Sequence, residues 1–212
     1  MEIRAYSELY VENAQNVCGH MFDFAINTVG LEADLFMERF LASRYSKEIA
    51  RGNVTFVAGK TGPEIARLVL SETGFSDKVP DDVMYIDRSP EYWGGWVLAY
   101  YQWLRDLSFR HIIRAVPFHD ILGLYHVFHE MDIEKFVDEM DGKLAKYYAD
   151  TALKRRRMIC GLSQSGLAQL SGVPLRQIQL FEQRRRNIRK AQSETVLMLS
   201  KALSCDMESL LV

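Results

Sequence analysis

Residues Ser163–Gln183, SQSGLAQLSGVPLRQIQLFEQ, predict two short helices that meet at a tight bend. Gln164 opens the first helix, and Ala168 is small where the two helices are expected to pack most closely. Gly172 occupies the bend, because glycine takes a positive φ without a Cβ clash. Three apolar residues give the second helix one buried face: Val173, Ile178 and Phe181. The opposite face of this helix is therefore polar.

The outward face of the second helix, Pro174–Gln183, carries side chains that suit contact with DNA bases. Arginine and amide side chains hydrogen-bond to base edges in the major groove, and apolar side chains contact thymine methyl groups. We expect base contacts from five residues of this helix: Leu175, Arg176, Gln177, Gln179 and Leu180. We expect phosphate contacts from the start of the first helix and from the basic segment after the second: Gln164, Arg184, Arg185, Arg186, Arg189 and Lys190.

Residues 151–212, from LKRRRMICGLSQ to ETVLMLSKALSCDMESLL, resemble the lambda-repressor-like, Xre-type family of bacterial and phage transcriptional regulators. The resemblance implies a five-helix DNA-binding domain. It also implies a structural ion pair between Arg157 and Glu182, although a charge run such as LKRRR is by itself more often a solvated face. Three residues depart from the family pattern. Gly166 lacks the side chain that would complete a capping box with Ser163, which costs a little helix stability. Arg184 and Ser204 stand at glycine positions of the family, so we expect the loop after the second helix to differ in shape.

The chain of 212 residues suits two domains, and its charges are divided between them. Residues 151–212 contain 11 Lys and Arg against 4 Asp and Glu, a net charge of +7. Residues 1–150 contain 15 against 24, a net charge of −9. A basic C-terminal part suits a polyanion. We expect an acidic, mostly helical domain at 1–148, with a role in ligand binding, partner binding or dimerisation, and a DNA-binding domain at 151–212.

The composition favours the cytoplasm. No segment has the roughly 18 apolar residues that cross a membrane, and the N-terminus, MEIRAYSELYVEN, lacks the apolar core of a signal peptide. Cys18, Cys160 and Cys205 are odd in number and form no CxxC pair, which predicts reduced packing thiols. We expect a cytoplasmic protein without a membrane partner.

Residues 1–148 are predicted to be helical, so the chain is expected to be all-α. Apolar residues recur every three to four positions in Ser7–Val29, and a second helix follows up to Ser43. Further helices are predicted to begin at a proline in the first helical position or after a capping residue: Pro63, Pro90 after Ser89, Ser108, Pro117 and Asp132. The segment around Val54–Val57 is predicted to be a short extended piece or a loop.

Two other patterns have weaker functional interpretations. Gly59–Thr61 lacks the glycine spacing of a phosphate-binding loop, so we interpret it as a turn. His119, His126 and His129 are predicted to lie on one helix, where only the last two are close enough to share a metal ion. We favour ordinary histidines and predict no metal and no cofactor.

Aromatic residues cluster in the helix that Pro90 begins, EYWGGWVLAYYQWLRDL. Tyr and Trp combine apolar area with a polar tip, which suits a ligand pocket or a partner groove, but core packing is the favoured interpretation. Gly94 and Gly95 lower the helix propensity in mid-helix. That cost favours the close approach of another helix or of a ligand at this point.

Together these patterns favour a sequence-specific DNA-binding transcriptional regulator, most simply a repressor that binds double-stranded DNA as a homodimer. The alternative is an antitoxin-type protein whose N-terminal domain binds a partner protein and whose C-terminal domain represses its own operon. The N-terminal part is similar to uncharacterised bacterial proteins with this C-terminal domain, some encoded beside toxin-like genes. A small-molecule sensor and a metal-dependent enzyme are less favoured, because no nucleophile, base and orienting group stand out together.

Overall fold

The computed structural model describes residues 4–81 and 88–211, and these residues are all-helical. Neither described range contains a β-strand, which confirms the predicted all-α class for this part of the chain. The chain divides into two compact units, unit 1 (Met1–Leu144) and unit 2 (Ala145–Val212). None of the described helices has the length and apolar character needed to cross a membrane.

Unit 1 is built from helices α1 to α10, except that residues 145–148, the end of α10, belong to unit 2. They are α1 (Val11–Asp23), α2 (Ala33–Ala42), α3 (Tyr45–Ala50), α4 (Val54–Val57), α5 (Gly62–Glu72), α6 (Pro90–Arg105), α7 (Phe109–Ala115), α8 (Phe118–Gly123), α9 (Tyr125–Phe128) and α10 (Ile133–Tyr148). A 3-10 turn, Glu8–Tyr10, precedes α1, and a π-helical turn, Phe24–Thr28, follows it. The helix predicted over 7–29 is therefore present as three consecutive helical segments.

Helices α1 and α6 pack closely at the centre of unit 1 because of a glycine. A Cβ on Gly95 of α6 would lie 2.5 Å from the carbonyl oxygen of Cys18 in α1. A Cβ on the neighbouring Gly94 would lie 2.6 Å from the Leu122 side chain of α8. The Gly94-Gly95 pair therefore marks two close contacts of α6, one with α1 and one with α8. These contacts explain why α6 contains two glycines despite their low helix propensity.

Phenylalanines from four helices fill the core of unit 1. The Phe22 ring lies 5.3, 5.8 and 4.4 Å from the rings of Phe36, Phe40 and Phe118, and Phe40 lies 5.2 Å from Phe109. Each of these side chains is at most 2% exposed. Most of the pairs are edge-to-face, an arrangement that adds to the energy of burial. The cluster fixes α1, α2, α7 and α8 against one another.

Capping side chains set several helix starts as predicted. Ser89, Ser108 and Asp132 each accept a hydrogen bond from a backbone N–H of the following first turn, at 3.0, 3.2 and 2.9 Å. Pro90 is the first residue of α6, and α8 begins directly after Pro117. These caps satisfy backbone donors that the first turn of a helix leaves unpaired.

The prediction for Val54–Val57 is wrong, because these residues form the short helix α4. Their β-branched side chains favour an extended conformation. Asn53 overrides this preference: its side-chain oxygen accepts a hydrogen bond from the Thr55 N–H at 3.1 Å and caps the helix. A local hydrogen bond thus decides the structure of a segment with weak propensity.

The predicted position of Pro63 is off by one residue. Pro63 is the second residue of α5, because Thr61 caps the helix and Gly62 begins it. The Thr61 hydroxyl accepts from the Glu64 N–H at 3.3 Å, and the Thr61 N–H donates to the Glu64 carboxylate at 2.7 Å. Gly59–Thr61 therefore forms the turn that leads into a capping box, in agreement with the interpretation of this segment as a turn.

Unit 2 is built from α11 (Ala152–Ile159), α12 (Gln164–Ser171), α13 (Leu175–Glu182), α14 (Ser193–Ala202) and α15 (Met207–Leu210), with a 3-10 turn at Ile188–Lys190. Each of these helices contributes to one buried cluster: Leu153, Leu167, Val173, Ile178, Phe181, Val196, Leu199, Leu203 and Leu210. Unit 2 thus has a hydrophobic core of its own, as an independent domain requires.

Candidate nucleic-acid interface

Helices α12 and α13 are joined by a tight bend at Gly172. This glycine has a φ of +72°, and its N–H donates to the Ala168 carbonyl at 2.9 Å. The Ser171 hydroxyl donates to the Leu167 carbonyl at 2.7 Å and accepts from the Val173 N–H at 3.2 Å. The bend therefore combines a left-handed glycine with a side chain that bonds to the backbone on both sides of it.

The inner faces of α12 and α13 are buried in the core of unit 2. Ser163 caps α12 by accepting a hydrogen bond from the Gly166 N–H at 2.9 Å. Because Gly166 has no side chain, the second bond of a capping box is missing. Ala168 is half-buried and packs against the core. Three residues at and after the bend are at most 3% exposed: Val173, Ile178 and Phe181.

The outer face of α13, called the reading face here, consists of the five residues expected to contact bases: Leu175, Arg176, Gln177, Gln179 and Leu180. Leu175 and Arg176 are exposed, and the other three residues are half-buried. Arg176, Gln177 and Gln179 make no side-chain hydrogen bond to any described residue. Their polar atoms are therefore available to a molecule outside the chain.

A buried ion pair connects α11 to the end of α13. Arg157 donates from Nε and Nη2 to the two carboxylate oxygens of Glu182, at 2.7 and 2.9 Å. The Arg157 and Glu182 side chains are only 11% and 2% exposed. Hydrogen bonding to Glu182 raises the pKa of Arg157 above its usual value, so the guanidinium stays charged. The structure thus brings together the two residues that the family resemblance pairs.

Two further groups complete the network around this ion pair. Gln164 Nε2 donates to Glu182 Oε2 at 2.8 Å, and Arg157 Nη1 donates to the Leu162 carbonyl at 2.7 Å. Gln164 was expected to face a phosphate, but one of its amide hydrogens is bonded within unit 2. The sequence did not indicate this link, because the two partners lie 18 residues apart and on different helices. The network fixes α11, α12 and α13 relative to one another.

The basic residues after α13 fall into two groups. Arg184 and Arg189 each donate to a backbone carbonyl of unit 2, at 2.6 and 2.5 Å. Arg185, Arg186 and Lys190 are exposed and make no ion pair or side-chain hydrogen bond to the described residues. Of the five basic residues expected to contact phosphates, three therefore have no partner among the described residues, whereas Arg184 and Arg189 hold the segment in place.

The loop after α13 has a left-handed residue at its start. Arg184 has a φ of +56°, and Ser204, after α14, has a φ of +49°. Glycine adopts this conformation most easily, and another residue takes it at a cost of roughly 1–2 kcal/mol. Arg184 and Ser204 thus adopt the left-handed conformation although both carry side chains, and the expectation about the shape of the loop stays a prediction.

The three histidines do not share one helix, so that prediction is wrong. His119 lies on α8 and His126 on α9, while His129 is the residue after α9. Hydrogen bonding to Asp34 raises the pKa of His119. His129 Nδ1 lies 2.8 Å from the Tyr125 carbonyl oxygen. Within 4–81 and 88–211, no group of three His, Cys, Asp or Glu side chains is arranged to hold a metal ion.

The cysteines have different environments. Cys18 is buried in unit 1, and burial raises the pKa of its thiol to about 12. This agrees with the expected packing role. Cys160 is exposed and Cys205 is half-buried, so they are less enclosed than the sequence suggested.

Comparison of the chain with protein-family models, with curated proteins and with solved structures finds no match. The function of the chain is therefore inferred from its own residues and geometry.

Proposed function

We propose that unit 2 is a lambda-repressor-like DNA-binding domain and that the protein is a sequence-specific transcriptional regulator. The observation that carries this proposal is the reading face of α13. It presents Arg176, Gln177 and Gln179 without hydrogen-bond partners among the described residues, on a helix whose opposite face is buried. The major groove of B-DNA is about 12 Å wide and admits one α-helix, and these side-chain types recognise guanine and adenine edges.

The rigidity of the reading face supports base recognition. Arg157, Glu182 and Gln164 connect the three helices through hydrogen bonds of 2.7 to 2.9 Å. Recognition of a base edge depends on hydrogen-bond donors that are held in a fixed position. A recognition helix that is already fixed to its neighbouring helices loses little conformational entropy when it binds DNA. The network thus fits a helix that reads a rigid duplex.

Electrostatics support the same partner. Residues 151–212 have a net charge of +7, and three exposed cations follow α13 directly: Arg185, Arg186 and Lys190. Phosphate contacts fix the register of a protein on the duplex and supply most of the affinity for random sequence. Arg184 and Arg189 hold the same segment through backbone carbonyls, and a guanidinium with five N–H donors retains others for phosphate.

A homodimer acting as a repressor is the form of regulation that we favour. One recognition helix contacts only a few base pairs, which is too little to define a site in a genome. Two copies on a palindrome, with half-sites about 34 Å apart, double the number of bases read. The proposal therefore includes a palindromic operator with one chain on each half.

Selection of binding sites from random DNA at about 150 mM salt tests the proposal directly. We expect an enriched palindromic motif bound by two chains, and recovery of no motif would contradict sequence-specific binding. Replacing Gln179 or Arg176 by Ala should then cost roughly 1–3 kcal/mol on the selected site and almost nothing on random DNA. Lys201→Ala is the matched control, because Lys201 is an exposed cation on α14, outside the reading face. Equal losses on both DNAs for Gln179→Ala would overturn the assignment of the reading face.

A further inference from the structure

Unit 1 contains a solvent-accessible cavity of about 540 Å³ beside the aromatic part of α6. α6, α9 and the start of α10 surround it, and six aromatic side chains line it: Tyr92, Trp93, Trp96, Tyr125, Phe128 and Phe136. Sites for small molecules usually measure about 300–1,000 Å³ and combine apolar walls with a few polar groups. The cavity has the size and composition of such a site.

Ring contacts hold the walls of the cavity in place. The Trp93 ring lies edge-on to Tyr125 at 5.6 Å and to Phe136 at 5.5 Å, which connects α6 to both other walls. Tyr125 stacks on His129 at 4.4 Å. These contacts orient the rings before any ligand arrives.

The polar tips of the α6 aromatics differ between the core and the cavity. In the core, Trp103 donates its indole N–H to the Tyr6 carbonyl at 2.8 Å. Trp93 and Trp96 line the cavity, and their indole N–H groups donate to no described residue. Because an indole N–H is only a donor, these two half-buried groups can donate to an acceptor on a ligand.

The charged groups of the lining point to the same kind of ligand. The Arg88 guanidinium lies 4.9 Å from the centre of the Tyr92 ring, so a cation stands at the aromatic wall. The described part of the lining also contains one carboxylate, Asp132, but its Oδ1 accepts the Glu134 N–H at 2.9 Å and caps α10. Among the described lining residues, one guanidinium and two indole N–H groups therefore outnumber the carboxylates, of which Asp132 already accepts a hydrogen bond.

We infer that this cavity binds a planar aromatic molecule that carries a carboxylate, with the rings between the aromatic walls and the carboxylate on Arg88. This inference concerns unit 1 and does not depend on DNA binding by unit 2. A flat ring system matches the walls by shape and stacking, and a carboxylate supplies the acceptors that the donors lack.

Titration of the full chain with 2-naphthoate, followed by NMR of the tryptophan indole N–H groups, tests the inference. The chain has three tryptophans. We expect the Trp93 and Trp96 signals to shift and the Trp103 signal, from the core, to stay. Trp→Phe variants assign the three signals. Shifts in none of them at millimolar ligand, or equal shifts in all three, would overturn the assignment of the site.

Two comparisons test the charge of the ligand. By calorimetry, 2-naphthoate should bind more tightly than uncharged 2-naphthamide and than cationic 2-naphthylmethylamine, and this ranking needs no variant. Arg88→Gln should weaken naphthoate binding about tenfold or more and leave the amide unchanged. Arg51→Gln is the control, because Arg51 is an exposed arginine of unit 1 that does not line this cavity. Tightest binding of the amine, or an Arg88→Gln variant that binds naphthoate normally, would refute the carboxylate.

Discussion

Replacing Glu182 by Gln tests whether the buried ion pair holds unit 2 together. The substitution keeps the size of the side chain and removes its charge, so Arg157, which is 11% exposed, loses its counter-charge. Breaking a buried ion pair from one side costs about 3–5 kcal/mol. Gln keeps one acceptor oxygen, so we expect the lower end of this range, about 3 kcal/mol.

This loss is large relative to the stability of a small domain. Such a domain has an unfolding free energy of about 5 kcal/mol, and each 1 kcal/mol lowers its melting temperature by about 4–8 °C. Scanning calorimetry of the full chain should therefore show the transition of unit 2 more than about 10 °C lower in Glu182→Gln. DNA affinity near the new melting temperature should fall with the folded fraction.

Replacing both members of the pair provides the control. Arg157→Met combined with Glu182→Leu removes both buried charges and should recover most of the lost stability, because apolar side chains of similar volume often substitute for such a pair at no net cost. The Leu162 carbonyl then loses its donor, which costs about 1 kcal/mol. A Glu182→Gln variant that melts within about 3 °C of the parent, or a double variant no more stable than the single one, would refute the reasoning.

Three further predictions concern separate parts of the chain. Arg185→Ala should weaken binding to cognate and random DNA alike and lower the salt slope by roughly one unit, as titrations at several salt concentrations would show. Gly95→Ala should lower the melting temperature of unit 1, because the new Cβ would lie 2.5 Å from a carbonyl oxygen of α1. The control is Gly142→Ala on α10, where the new Cβ has open space and should raise the free energy of unfolding by roughly 0.5–1 kcal/mol. Hydrogen bonding to Asp34 raises the pKa of His119 above 6.5 in the folded state. The contribution of this pair to the stability of unit 1 is therefore complete below pH 6.5 and is lost as the pH rises through the raised pKa of the folded state. Melting of unit 1 should therefore be less pH-dependent above pH 6.5 in His119→Gln, and parallel profiles for variant and parent would contradict this.

The features that could be predicted from the sequence are local ones. The bend at Gly172 and the buried side of α13 follow from residues within a few positions of each other, since helix periodicity and a left-handed glycine act over one or two turns. The caps at Ser89 and Ser108 are equally local. Val54–Val57 shows the limit, because a single Asn cap decided between two conformations of similar propensity.

Interactions between distant residues could not be predicted in the same way. Arg184 and Arg185 are exposed neighbours in one basic run, but Arg184 has a left-handed φ and donates to the carbonyl of Tyr148, 36 residues earlier. From the sequence, both arginines were expected to contact phosphates, because neither their charge nor their position in the chain reveals a backbone acceptor that is distant in sequence. The structure therefore separates residues that set the shape of the segment from residues whose charge is free to act.

Helix α6 shows the same limit for aromatic residues and explains why core and cavity could not be distinguished from composition. Trp103 and Tyr101 donate to the Tyr6 carbonyl and to Asp141, partners 97 and 40 residues away in the sequence, and are buried. Trp93 and Trp96, of the same type and on the same helix, line an open cavity. Helix periodicity gives the direction of a side chain but not what stands opposite it. The chemistry of each indole is thus set by elements that pack on α6 from elsewhere in the chain.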